Sequence, residues 1–230
     1  MRILHLSATN LLATKNGSQE MERRWRIMQS VASSGTAITF VSNPSGPLSI
    51  ETAEDERAAV PGMKSNLKMA TGYDAITLGC FGDPGLNELR DLTTLPVLGP
   101  GIAAMHAASL VCDKFSVLAP VTSSIPSTEK QVQGYGFANK GVSVRALDIP
   151  VLTIRQDRER AVDTAVRVAG QCIEKDGAEV IVLGCMSMAF QRLDLDLAEI
   201  LGVRVINPLI PLVRFAEAMA MTPSDGGATP

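Results

Sequence analysis

Short apolar runs rich in β-branched residues alternate along the chain with longer stretches of helical periodicity. This alternation is typical of βα units around a mainly parallel sheet, so we predict an α/β fold. Two of the runs, residues 75–78 and 180–183, are continuously apolar, as expected of central strands that helices cover on both faces. The predicted strands are residues 2–6, 37–42, 75–79, 97–98, 115–119, 142–147, 180–184 and 203–206, with helices in most of the intervals.

One segment of this pattern occurs twice. Residues 74–80, DAITLGC, match residues 179–185, EVIVLGC, in an acidic residue, an apolar strand and a Gly-Cys end. Each copy is followed by a helical stretch and a second short strand that ends in proline. The repeat predicts two similar α/β halves that face each other across a cleft.

The two predicted halves have definite bounds. We place residues 1–98 together with 207–222 in the first half and residues 99–206 in the second. Residues 223–230 are rich in Pro, Gly and Thr and have no apolar periodicity, so we expect a disordered tail.

The repeat also selects two of the four cysteines. Ligands of parallel α/β sheets bind beyond the carboxyl ends of the strands, which is where Cys80 and Cys185 lie in the predicted fold. The glycine before each cysteine permits a close backbone approach at the turn. Asp83 and Pro84 are predicted to be the N-cap and first residue of a helix beside Cys80, and such a helix start favours a thiolate.

Two opposed thiols suit a particular reaction. Inverting a carbon stereocentre without a cofactor requires a base on one face and a conjugate acid on the other, and we predict Cys80 and Cys185 in these roles. The enolate intermediate requires hydroxyl or N–H donors. Predicted substrate contacts are the polar residues after the first and fifth strands and the neighbours of the cysteines: Ser7, Thr9, Asn10, Phe81, Gly82, Thr122, Ser123, Ser124, Met186 and Ser187.

The remaining cysteines and the histidines are assigned to structure. Cys112 and Cys172 lie in apolar contexts where free cysteine is usually buried in the core. No cysteine spacing is of the zinc-binding type, and His5 and His106 are interpreted as packing or hydrogen-bonding residues. We therefore predict no metal site.

Composition and charge narrow the function classes. The chain of 230 residues is 46% hydrophobic and has 21 basic and 24 acidic residues, for a net charge of −3. Its densest basic groups, residues 23–26 and 155–160, are interpreted mainly as solvated helix faces, so nucleic acid is not an expected partner. With no long apolar segment and no signal-peptide pattern, we expect a cytoplasmic protein that is not bound to a membrane.

Three motifs then resemble a known family. Residues 79–85 (GCFGDPG), 103–108 (AAMHAA) and 182–185 (VLGC) are similar to segments of the aspartate/glutamate racemase superfamily, most closely its hydantoin racemase branch. The resemblance runs through nearly the whole chain. It implies two flavodoxin-like halves, a homo-oligomer, no metal or cofactor, and a cysteine pair, Cys80 and Cys185, that racemises 5-substituted hydantoins or the related ureide allantoin.

The chain departs from the pattern of that branch at three places. Residues 6–10, LSATN, stand where the family usually has an Asn-Pro-Asn-Thr-like motif, and Ile102 replaces a frequent acidic residue. Met186-Ser187-Met188 replaces the typical Ala-Gly-Met after the second cysteine. These differences predict a pocket of altered shape or polarity.

Two alternatives stand beside a hydantoin or ureide racemase. The first is another superfamily reaction: racemisation of an acidic amino acid, isomerisation of a maleate-type diacid, or decarboxylation of a malonate. Decarboxylases of this type keep one cysteine, whereas this chain has both. The second alternative is a redox-responsive binding protein whose paired thiols sense oxidants.

Overall fold

The computed structural model describes residues 1–222, which form two parallel four-stranded sheets flanked by helices. The predicted disordered tail, residues 223–230, lies outside the described residues. The strands are β1 (Arg2–Leu6), β2 (Ala37–Val41), β3 (Ala75–Leu78), β4 (Val97–Leu98), β5 (Phe115–Ala119), β6 (Gly141–Ala146), β7 (Val180–Leu183) and β8 (Arg204–Ile206). The helices are α1 (Gly17–Val31), α2 (Ala53–Asn66), α3 (Leu86–Arg90), α4 (Pro100–Ser109), α5 (Ile125–Gly134), α6 (Val151–Gln156), α7 (Arg158–Asp176), α8 (Met186–Phe190), α9 (Leu193–Leu201) and α10 (Leu209–Ala220).

The two sheets have the same topology. The strand orders are β2-β1-β3-β4 and β6-β5-β7-β8, and every pairing is parallel. The repeated segments therefore form β3 and β7, which occupy the same interior position in their sheets. The predicted α/β fold with two similar halves is confirmed.

Each repeated strand ends at a glycine that lies against a neighbouring strand. A Cβ atom on Gly79 would come within 2.8 Å of the Cα of Ser7, and one on Gly184 within 2.6 Å of the carbonyl oxygen of Leu118. Real Cβ atoms do not approach backbone this closely, so only glycine fits at either position. The close approach expected from the sequence is present in both halves and fixes where the next residue, cysteine, leaves the sheet.

Helices cover both sheets with apolar stripes. The predicted stripe on α7 is confirmed, because Ala161, Ala165, Val168, Ala169 and Cys172 are all buried. The C-terminal helix α10 returns to the first sheet, where its apolar face packs against β3, β4 and α1. No helix within residues 1–222 combines the length and the apolar character needed to cross a membrane.

Asp83 does not cap the helix that follows it, and the prediction of this cap was wrong. Helix α3 begins at Leu86, two residues later than expected, and its N-cap is Gly85. The Asp83 backbone is left-handed, with φ of 51°, and its carboxylate accepts hydrogen bonds from the N–H groups of Gly101 and Ile102 at 2.9 and 2.8 Å. These N–H groups belong to the first turn of α4 and have no partner within that helix, so the Asp83 carboxylate caps a helix that is distant in sequence.

Candidate active site

Cys80 and Cys185 line one cleft between the carboxyl ends of the two sheets. Cys80 follows β3 and Cys185 follows β7, each immediately after the close-packed glycine. Cys185 is 7% exposed, and Cys80 is half-buried. Cys112 and Cys172 are buried outside the cleft, as expected of core cysteines. The internal repeat thus brings two of the four thiols to one site.

The structure brings some of the predicted substrate contacts to this cleft and leaves others outside. The predicted contacts that line the cleft are Thr9, Phe81, Gly82, Ser124, Met186 and Ser187. The others do not line it, and each makes hydrogen bonds elsewhere: Ser7 Oγ with Thr9 O at 3.0 Å, Asn10 Oδ1 with Ala13 N at 3.2 Å, Thr122 Oγ1 with Asp148 Oδ1 at 2.6 Å, and Ser123 Oγ with Glu51 O at 2.9 Å.

Two arginines surround the Cys185 end of the cleft. Arg155 Nε donates to Ser187 Oγ at 3.2 Å, and Arg24 Nη2 approaches the same oxygen at 3.5 Å. Burial raises the pKa of the Cys185 thiol, while the N–H groups of Met188 and Ser187 and the charges of Arg155 and Arg24 act in the opposite direction. Cationic surroundings therefore offset part of the cost of forming a thiolate at Cys185.

The Cys80 end of the cleft is acidic instead. Glu56 lines the cleft, and its carboxylate packs so closely on the Gly82 backbone that a Cβ there would overlap it. Burial and the charge of Glu56 raise the pKa of the Cys80 thiol well above its ordinary value, although the N–H group of Gly82 favours the thiolate. A negative charge on Cys185 raises the pKa of Cys80 further. The arrangement favours one thiolate and one neutral thiol over two thiolates.

The acidic side chain at this end is itself perturbed. Burial, followed by the charge of neighbouring Asp55, raises the pKa of Glu56, whereas the charge of Arg57 lowers it. Since the carboxylate is partly desolvated, its repulsion of a Cys80 thiolate is less screened than it would be on the surface. The two thiols therefore differ in local charge although their sequence contexts match.

The sequence did not identify the charged groups of this cleft. The basic residues 23–26 and 155–160 were expected mainly as solvated faces, but Arg24 is 3% exposed and Arg155 lines the cleft. One local signal exists for Arg24: it lies four residues from the core residue Met28, hence on the inward face of α1. The same kind of signal exists for Glu56, which lies three residues from the buried Ala59, and for Arg155, which lies four residues from the buried Val151.

The side chains of the cleft indicate what chemistry is possible there. Across residues 1–222, no group of three or more His, Cys, Asp or Glu side chains is arranged to hold a metal ion. The cleft combines its two thiols and two guanidinium groups with the hydroxyl-bearing residues Thr9, Ser124 and Thr128. Such groups can move protons and donate hydrogen bonds to a developing oxyanion.

Comparison with known proteins gives a consistent result. A sequence model described as "Asp/Glu/Hydantoin racemase" matches residues 11–216. A hydantoin racemase from Rhizobium meliloti is 38% identical over 181 residues, which are 77% of this chain and 74% of that protein. A hydantoin racemase from Pseudomonas sp. (strain NS671) is 32% identical over 221 residues, covering 95% of this chain and 86% of the relative.

The fold comparison agrees with the sequence comparison. The structure of an allantoin racemase from Klebsiella pneumoniae superposes with a TM-score of 0.86 at 30% identity. The match covers 95% of this chain and 86% of that one. The similarity thus spans both halves and the cleft between them.

Proposed function

The chain belongs to the Asp/Glu/Hydantoin racemase family, and from this premise we propose that it racemises a 5-substituted hydantoin or a related ureide by proton transfer between two cysteines. Its relatives make it an isomerase of the racemase class that acts on a small molecule. The names of the relatives, hydantoin racemase and allantoin racemase, support a cyclic ureide as the substrate. The observation that carries the proposal is the presence of Cys80 and Cys185 in one cleft at equivalent strand ends.

The proposed reaction consists of two proton transfers. The thiolate of one cysteine removes the hydrogen at C5 as a proton, and the C–H electron pair delocalises onto the adjacent C4 carbonyl as an enolate. The thiol of the other cysteine then donates its proton to the opposite face of C5. The first cysteine ends as a thiol and the second as a thiolate, so the enzyme is poised for the opposite enantiomer, and no cofactor is required.

The charge distribution favours a resting state with the thiolate at Cys185. Arg155 and Arg24 stabilise negative charge there, whereas Glu56 opposes it at Cys80. In that state Cys185 is the first base and Cys80 the first acid. The roles exchange when the other enantiomer binds after a turnover.

Developing negative charge on the C4 oxygen requires hydrogen-bond donors. Hydroxyl groups of Thr9, Ser124 and Thr128 line the cleft. Ser124 Oγ already donates to Glu51 O at 3.1 Å and Thr128 Oγ1 to Ser124 O at 2.9 Å, so the hydroxyl of Thr9 is the available donor of the three. Thr9 follows β1, whereas Ser124 and Thr128 follow β5, and the oxygens of these two hydroxyls can accept hydrogen bonds from the N–H groups of the ring. We assign this group of hydroxyls to binding of the hydantoin ring.

Solvent deuterium exchange tests this function directly. The purified protein is incubated in D2O with each enantiomer of 5-substituted hydantoins and of allantoin, and loss of the C5 proton is followed by NMR together with optical rotation. We expect both enantiomers of at least one substrate to exchange and to converge on the racemate. Samples without protein measure the spontaneous rate. If no hydantoin or allantoin exchanged faster than those samples, the proposed substrate class would be wrong.

A second candidate, racemisation of an acidic amino acid, is favoured by one specific observation. The two arginines in the cleft supply the cationic groups that a dicarboxylic substrate needs and that the sequence motifs do not reveal. The same D2O assay with L-aspartate and L-glutamate separates the candidates. Exchange of these amino acids without exchange of any hydantoin would replace the ureide assignment.

A further inference from the structure

The Cys185 end of the cleft contains more positive charge than the proton transfers require. Two guanidinium groups converge at one point, since Arg155 donates to the hydroxyl oxygen of Ser187 at 3.2 Å and Arg24 approaches the same oxygen at 3.5 Å. Among the hydrogen bonds of residues 1–222, the Ser187 hydroxyl is an acceptor and donates to no group, so its proton is available to a ligand. All three residues line the cleft.

Arg24 is held rigidly in this cluster. Its Nε forms an ion pair with Glu20 at 2.7 Å, and its guanidinium carbon stacks over the Phe190 ring at 4.6 Å from the centroid. The side chain is almost fully buried, with 4% of its area exposed. Burial and the charge of Arg155 lower the pKa of Arg24 to about 10, so the group remains cationic at neutral pH.

The positive charge around Arg24 and Arg155 is only partly neutralised within the protein, because the Cys185 thiolate and the Glu20 carboxylate face three guanidinium groups, those of Arg23, Arg24 and Arg155. Glu20 accepts from Arg23 as well as from Arg24, so one carboxylate is shared by two guanidinium groups. Arg155 forms no ion pair with any carboxylate of residues 1–222, although the group is partly buried. Two negative charges beside three guanidinium groups leave one positive charge in a partly desolvated site, and a ligand anion would neutralise it.

The acidic residues that line the cleft, Glu51 and Glu56, form no ion pair with Arg24 or Arg155. Glu56 packs on the loop after Cys80, and Oε1 of Glu51 accepts a hydrogen bond from the N–H group of Val151 at 2.8 Å. The cleft is therefore polarised, with its cationic end at Cys185 and an acidic group at Cys80.

We propose that Arg24, Arg155 and Ser187 form a subsite for a carboxylate carried on the substrate's C5 substituent, so that the substrate class is hydantoins with a short acidic side chain, such as 5-(2-carboxyethyl)hydantoin. This inference rests on the proposed hydantoin racemase function and specifies its substrate. A planar guanidinium binds a carboxylate through two parallel hydrogen bonds, which orients it as well as attracting it. The neutral ureido group of allantoin would gain only uncharged acceptor contacts there.

The test compares two substrates of equal shape. 5-(2-Carboxyethyl)hydantoin and its amide, 5-(2-carbamoylethyl)hydantoin, differ in the charge of one terminal group. We expect kcat/KM to be at least about ten-fold higher for the carboxylate, with most of the difference in KM, because hydrogen bonds to charged partners are the stronger ones. The ratio should fall by about ten-fold or more in Arg155→Met and recover in part in Arg155→Lys, which restores the charge without the planar fork.

Arg160→Met provides the matched control, since Arg160 is an exposed arginine outside the cleft and its loss should leave the ratio unchanged. A ratio near one in the unsubstituted protein would overturn the subsite while leaving hydantoin racemisation intact. An equal fall of both kcat/KM values in Arg155→Met would also overturn it, because the arginine would then act only on the Cys185 thiolate or the enolate. If neither of these two hydantoins exchanged its C5 proton while another hydantoin or allantoin did, the acidic substrate class would be wrong; if no hydantoin or allantoin exchanged, the proposed function itself would be wrong.

Discussion

The two Gly-Cys ends share sequence and strand position, yet they meet opposite charges in the folded chain. Cys80 lies beside the carboxylate of Glu56, whereas Cys185 lies beside the guanidinium groups of Arg24 and Arg155. An internal repeat can therefore supply two equivalent thiols while the surroundings keep one protonated and favour the thiolate of the other. Such an asymmetry suits a pair in which one member must be protonated when the other is not.

The two halves also differ in how they hold a buried carboxylate after the cysteine. In the first half, Asp83 accepts hydrogen bonds from N–H groups, from Gln131 and from Tyr135, and it has no ion pair within the described residues. In the second half, the buried Asp194 pairs with Arg192 at 3.1 Å. Burial raises the pKa of Asp83 to about 7. The first half thus contains a titratable carboxyl that is stabilised by uncharged donors alone.

Removing either thiol is expected to have the largest effect. We expect Cys80→Ser and Cys185→Ser each to lower racemisation by about 10²- to 10⁴-fold, the usual contribution of a general acid or base. Each variant should still exchange the C5 proton of one enantiomer, and the two variants should favour opposite enantiomers. Chiral chromatography and NMR in D2O measure the two quantities.

The control for this pair is Cys112→Ser, because Cys112 lies outside the cleft. It should retain both exchange and racemisation. Full racemase activity in either cleft variant would contradict the two-cysteine mechanism. Loss of exchange of both enantiomers in each variant, with folding intact, would contradict the separate roles of the two thiols.

The raised pKa of Asp83, in the first half, predicts that the stability of the protein depends on pH. Its pKa is raised from 3.8 to about 7 in the folded chain, so folding favours the protonated form. The stabilisation is present below pH 4 and is lost as the pH rises through about 7, at up to about 1.4 kcal/mol per pH unit. Asp83→Asn should lack this decline. Urea unfolding from pH 4 to pH 8 gives the free energy of unfolding for both proteins.

The exposed Asp163 is the matched position for that comparison. Asp163→Asn should change the free energy of unfolding by less than about 0.5 kcal/mol and should retain the decline with pH. If Asp83→Asn kept the same decline, the burial of this carboxyl would not be its source.

The charge difference between the two thiols is expected to produce the smallest effect, a shift in titration. Ultraviolet thiolate absorbance is followed against pH in Cys80→Ser and in Cys185→Ser, with the double variant as the baseline for Cys112 and Cys172. The thiolate of Cys185 should form at lower pH than that of Cys80, since cations face the first and a carboxylate faces the second. If both thiols ionised at the same pH, the proposed resting state with the thiolate at Cys185 would be wrong.

Glu56→Gln tests whether the carboxylate causes the difference between the two thiols. It removes the negative charge beside Cys80, so the pKa of that thiol should fall and the gap between the two titrations should narrow. Glu54→Gln, an exposed change on the same helix, should leave the gap as it is. A gap that did not narrow in Glu56→Gln would assign the difference to burial rather than to this carboxylate.

The framework of the protein was predictable from its amino-acid sequence. Eight strands, their parallel arrangement and the apolar stripe of α7 followed from local periodicity, because burial of apolar residues repeats with the geometry of each element. The Gly-Cys repeat indicated equivalent strand ends, since similar segments form similar βα units. For this reason the pairing of Cys80 with Cys185 in one cleft was predictable before the structure.

The charges of the cleft and the partners of its polar groups depend instead on how distant segments of the chain pack together. Arg24 and Arg155 stand in basic stretches that are typical of solvated faces, and their burial depends on α8, which lies more than thirty residues away. Asp83 caps α4 rather than α3, the helix that follows it in sequence, because the first turn of α4 presents free N–H groups to the Asp83 carboxylate. The local sequence shows which positions are apolar and which carry hydroxyl groups. Electrostatic contacts depend on distances between segments remote in sequence, which only the folded chain determines.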